Sequence, residues 1–136
     1  MSVRLRYSAK VQISSRTDPE DKDLGNLSYE NVTDSNGEGG SRKFTLAAGD
    51  SDIAIDLGNV TTPNFVFIRS SAKDPLDTPS EITVKRNTIG NEEIPITPIS
   101  GTKTGWLLLS TSGLTALFAS NPGSVDMELI VAVSGD

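Results

Sequence analysis

From residue 44 onward the chain holds no sustained apolar pattern at helical spacing, because turn chemistry interrupts it every few residues. Short apolar segments at 44–46, 53–57, 65–68, 82–85 and 94–99 are each bounded by such interruptions. Ala48-Gly49-Asp50, Gly58-Asn59, Thr62-Pro63-Asn64, Asp74-Pro75, Thr78-Pro79 and Gly90-Asn91 supply left-handed residues, fixed φ angles and side-chain-to-backbone bonds. A chain punctuated in this way builds strands.

The longest apolar runs lie between 105 and 133, which predicts that the core is organised there. Residues 106–109 are uninterrupted, Leu117 and Phe118 follow a glycine-containing break, and Asn121-Pro122-Gly123 precedes the last run. In that run Val125, Met127, Leu129, Val131 and Val133 share one side of an extended chain, opposite Asp126, Glu128, Ile130, Ala132 and Ser134. The second side turns apolar towards its end, which predicts a central strand covered on both faces. Trp106, after Gly105, is expected in the core with its indole N–H at the rim. Residues 114–120 fit either a strand or a helical turn.

At the other end Val3, Leu5, Tyr7, Ala9, Val11 and Ile13 alternate with Arg4, Arg6, Ser8, Lys10, Gln12 and Ser14. This half-buried pattern, basic on its outer side, suits a charge-protected edge strand or an arm laid across a neighbour. The expectation is a place in the main sandwich, with 125–133 as a candidate neighbour. Residues 15–43 read as a long polar excursion with a short strand at 27–32. The expected fold class is all-β: one antiparallel β-sandwich or jelly-roll domain over 1–136, of about 8–10 strands, with a basic arm at 1–14 and the excursion at 15–43.

The 136 residues include neither histidine nor cysteine, so disulfides, thiol nucleophiles and imidazole bases are excluded. Asp34-Ser35-Asn36-Gly37-Glu38-Gly39 has the ligand spacing of a calcium loop, but its twelfth position is Thr45 where a carboxylate is required. Gly101-Thr102-Lys103-Thr104-Gly105 has the letters of a phosphate loop without its spacing. Asp52 and Asp56 are expected to face solvent from a strand whose inward side is Ile53, Ile55 and Leu57. Paired acids such as Glu92 and Glu93 point apart on an extended chain. These readings favour a non-enzyme without metal or cofactor.

A net charge of −6 opposes general nucleic-acid binding, and no stretch approaches the apolar length of a membrane span. The basic start MSVRLRYSAK lacks the apolar run of a signal peptide, so synthesis in a cytoplasm is expected. Charge is nevertheless segregated: Arg4, Arg6, Lys10 and Arg16 precede a stretch, 18–38, with seven acids and Lys22 as its one base. The candidate partner-binding residues are therefore Arg4, Arg6, Lys10 and Arg16, together with Leu24, Leu27 and Tyr29 of the excursion.

The pieces IDLGNVTTPNFVFIRSS, EITVKRN, EEIPITPISG, GWLLLSTSGLTALFASNPGS and DMELIVAVSG, in that order between 53 and 133, resemble small virion structural proteins of tailed bacteriophages. The resemblance implies a jelly-roll or sandwich protein made in the host bacterial cytoplasm and attached in many copies to the virion. Its leading form is a capsid decoration, or cement, protein that binds the major capsid protein and copies of itself, with a trimer among the implied assemblies. A tail or neck component is the second form. A carbohydrate- or receptor-binding β-sandwich is the reading from a different class.

Overall fold

The computed structural model describes residues 3–13, 22–33, 40–58, 60 and 62–135. Ten strands follow one another: β1 (Val3–Ile13), β2 (Lys22–Thr33), β3 (Gly40–Leu46), β4 (Ile53–Ala54), β5 (Pro63–Ala72), β6 (Ile82–Arg86), β7 (Ile94–Ile96), β8 (Thr104–Ser110), β9 (Leu117–Ser120) and β10 (Met127–Gly135). No helix occurs among the described residues, and 114–120 resolves into the approach to β9 and β9 itself. The expected all-β class is what the structure shows.

Two four-stranded sheets, ordered β3-β10-β5-β8 and β4-β9-β6-β7, enclose the core. Each takes strands in turn from the two ends of this span, β3 beside β10 and β4 beside β9, then β5 with β8 and β6 with β7. That alternation is the path of a jelly roll, and all the strand pairings are antiparallel. The apolar alternation decides which side faces in. Met127, Leu129, Val131 and Val133 of β10 are buried against Val66 and Ile68 of β5, Ile82 and Val84 of β6, and Leu117 and Ala119 of β9. The opposite side of β10 is not sealed: Ile130 and Ala132 are half-buried although the strand is central.

β1 departs from expectation. It pairs with β2 in a separate two-stranded ribbon, while β10 is flanked by β3 and β5. Alternation reports an amphipathic strand but not its partner; here the ladder is supplied by the next long strand in the chain. That strand lies inside the supposed excursion 15–43, which contains the whole of β2 and the start of β3. β2 is rich in Asn, Asp and Gly, so intrinsic propensity hides it. Register sets Tyr7 opposite Tyr29 and Ala9 opposite Leu27.

Two other segments are shorter than their apolar patterns. The 94–99 run ends as a strand at Ile96, because Pro98 offers no N–H to the ladder, and Ile99 makes only an isolated bridge to Thr104. In 53–57 the strand ends at Ala54, with one further bond from the Ile55 N–H to the Leu117 carbonyl at 2.9 Å; Ile55 is buried, Leu57 is half-buried and Ile53 stands exposed at the rim.

Candidate functional site

The buried polar residues among those described are Ser70 and Asn121, and both serve the fold. The Ser70 hydroxyl donates to the Gly105 carbonyl at 3.4 Å. The Asn121 amide donates to the carbonyls of Leu46 (3.1 Å) and Val125 (2.8 Å) and accepts from the Gly123 N–H (3.1 Å), so one side chain ties the ends of β3, β9 and β10. Among the described residues no buried side-chain polar atom is left unpaired, and no cluster of acids has the arrangement to hold a metal ion. The calcium-like loop 34–39 lies outside the described residues.

Two ion pairs join elements of the sandwich. Asp56 meets Arg42 of β3 at 2.6 Å, linking the two sheets at their β3 and β4 edges. Asp52, expected to be an ordinary solvent-facing acid, adopts a left-handed φ of 51° and accepts from Lys85 of β6 at 3.0 Å. That hydrogen bond raises the Lys85 pKa above its ordinary 10.5. A raised lysine pKa contributes stability below the unfolded-state pKa and loses it as pH rises through the folded value, so the pair is intact at neutral pH. A groove of about 650 Å³ lined by Lys73, Asp74, Pro75, Asp77, Ser124, Val125 and Asp126 has mixed charge and no aromatic wall. It lacks the apolar lining of a typical small-molecule site.

The sequence-predicted binding residues fall on the ribbon, which divides them. Register places Arg4, Arg6 and Lys10 on one face, opposite Val32, Glu30 and Asn26 respectively. Leu27 and Tyr29 belong to the other face, opposite Ala9 and Tyr7. Leu24 falls at the irregularity where pairing shifts between Val11 and Gln12, and Arg16 lies outside the described residues. By register the basic set and the apolar set thus fall on opposite faces of the ribbon, with Glu30 at the position across from Arg6.

Sequence reasoning missed a third surface. Trp106 is 53 % exposed and is not a core residue. β8 pairs Gly105, Leu107 and Leu109 with Ser70, Ile68 and Val66, whose side is the core, and that leaves Trp106 and Leu108 outside with Arg69 and Phe67. On the next strand Ile130 and Ala132 continue the same outer rows beside Arg69 and Phe67. The resulting sheet face is largely apolar and only half-covered. The signal was present as the period-two split of Gly105 to Ser110, but the continuous run Trp-Leu-Leu-Leu concealed which half was inward. Gly105 marks the inward side independently: a Cβ there would lie 2.9 Å from Ile96 Cγ2 and 3.0 Å from the Thr97 carbonyl. Gly105→Val is therefore expected to lower stability by about 1–3 kcal/mol through overpacking, read as a fall in the thermal midpoint; an unchanged midpoint would place Gly105 outside.

No protein-family model matches the chain, and searches of curated proteins and of solved structures find no match, so its surfaces carry the functional reading.

Proposed function

We propose that this chain is a non-catalytic structural module that acts by attachment, as a capsid decoration protein of a tailed bacteriophage does. Its partners are the major capsid protein and copies of itself, its place is the outer surface of the virion, and it takes no cofactor, nucleic acid or membrane. What carries the reading is the jelly-roll strand order, β3-β10-β5-β8 over β4-β9-β6-β7. Jelly rolls recur in viral capsid and lectin domains. Fold alone does not set function, and the surface chemistry adds the second support. The described residues offer an apolar sheet face and a long two-stranded ribbon, which are surfaces for contact, while their buried polar groups are all engaged in the fold. Binding across capsid subunits stabilises the shell by mass action, since the module favours the assembled state.

The test is sedimentation of the protein with particles that lack it. Arg4→Glu with Arg6→Glu is expected to leave the protein folded and to abolish co-sedimentation, and binding of the parent protein is expected to weaken with added salt, because exposed charges are screened beyond about 10 Å at 0.1 M ionic strength. Equal co-sedimentation of variant and parent at low and high salt would overturn the basic-arm contact. Binding to tails in preference to heads would select the tail or neck form. Trp106, exposed beside Leu108, is the observation that keeps the carbohydrate-binding reading in view, and a glycan titration followed by indole fluorescence tests it directly.

A further inference from the structure

A sheet edge leaves backbone N–H and C=O groups open to any other extended chain, and proteins ordinarily protect such edges with charge, proline or brevity. Three of the four edges of this sandwich are protected in these ways. β3 carries exposed Arg42 and Lys43. β7 carries exposed Pro95, which has no N–H to offer. β4 is two residues long and lies between Asp52 and Asp56.

The fourth edge, β8, has none of these protections. It is seven residues long, Thr-Gly-Trp-Leu-Leu-Leu-Ser, without charge or proline. Trp106 is 53 % exposed, and Leu107, Leu108 and Leu109 are each only half-buried. The Ile99 N–H donates to the Thr104 carbonyl at 2.9 Å, which closes the start of the strand. Because backbone groups alternate sides along a strand, that bond also shows that the N–H and C=O of Trp106 and Leu108 point away from β5. Beyond Thr104 no described strand pairs with this side.

We infer that β8 pairs antiparallel with β8 of a second copy about a two-fold axis at Leu107, joining the two four-stranded sheets into one continuous sheet. The strand is self-complementary about that residue. Trp106 of one copy falls opposite Leu108 of the other and Gly105 opposite Leu109, so apolar residues meet at the centre, and the pairing stops short of Thr104, where Ile99 already holds the edge. Trp106 and Leu108 exchange backbone N–H to carbonyl bonds with their counterparts. Two copies of a chain with net charge −6 repel each other, and β8, unlike the edge strand β3 of the same sheet, brings no charge of its own to the contact. Leu107 and Leu109, half-buried at the open side of the sandwich, are covered further by the same pairing. The inference concerns the isolated protein and stands apart from any particle it binds.

The experiment is sedimentation velocity across a concentration series, with amide hydrogen exchange. The unmodified protein is expected to dimerise, and the Trp106 and Leu108 amides to become protected as concentration rises. Leu108→Glu places an acid in the joint twice by symmetry and is expected to weaken the dimer by about tenfold, with the circular dichroism spectrum unchanged. Trp106→Lys combined with Leu108→Glu sets opposite charges across the axis and is expected to restore it. A dimer that survives Leu108→Glu, a double variant that fails to recover, or amides of the unmodified protein that exchange freely at every concentration would each overturn the pairing. The exchange measurement needs no variant, so it decides the matter even if a substitution unfolds the chain.

Discussion

Leu129→Ala is expected to lower the unfolding free energy by about 3–5 kcal/mol, from lost burial plus the cavity that remains. Leu129 has no exposed surface and sits on the central strand β10, opposite Phe44 of β3 and Ser70 of β5. Both neighbours belong to paired strands, so the backbone around the site has little freedom to collapse into the space. Ile130→Ala is the control, because Ile130 lies on the outer face and is half-buried; its cost is expected to be below about 1.5 kcal/mol. Urea unfolding of the two variants reads the difference as a shift in midpoint at constant slope. Equal midpoints for both would mean that the inward face of β10 has been misassigned.

That assignment was legible in the sequence because β10 alternates cleanly: Met127, Leu129, Val131 and Val133 are buried as their spacing requires. The sandwich class was legible for a related reason, since turn residues at close spacing leave room only for short strands. What could not be read was partnership. β1 has the most regular alternation in the chain, yet it pairs with a strand whose pattern shows only over 27–32, because Asp23, Gly25 and Asn26 interrupt its first half. Pairing is decided by what is available to close a ladder, and a single strand's composition does not contain that information. The outward place of Trp106 is hidden by the same route. An aromatic residue in an apolar run suggests core, but alternation puts Trp106 on the outer side of its sheet, which no other sheet covers. Charge segregation between 1–17 and 18–38 was visible, and the register then shows its cost: Glu30 comes opposite Arg6.

Asn121→Ala is expected to cost about 2–4 kcal/mol, although the residue contributes almost no apolar burial, because it leaves one buried and two half-buried backbone partners without a hydrogen bond, at roughly 1–3 kcal/mol for the buried one and less for the others. The Leu46 and Val125 carbonyls lose their donor and the Gly123 N–H loses its acceptor. No neighbouring side chain is placed to take over all three, since Ser80 reaches only the Asn121 oxygen, at 3.4 Å. Asn121→Asp is expected to be at least as damaging: it keeps the shape but turns a carboxylate oxygen towards the Leu46 and Val125 carbonyls and buries a charge. Ser80→Ala, which removes only the long contact, is expected to change stability by less than about 0.5 kcal/mol. The backbone of Asn121 also holds the turn before β4, accepting from Gly49 at 2.9 Å and donating to Asp50 at 2.8 Å. Hydrogen exchange at Gly49 should therefore quicken in Asn121→Ala beyond what the global loss explains, as the turn between β3 and β4 loosens from the end of β9. If Asn121→Ala unfolds at the same urea concentration as the parent protein, the ends of the two sheets are joined by packing, and the amide network is incidental to them.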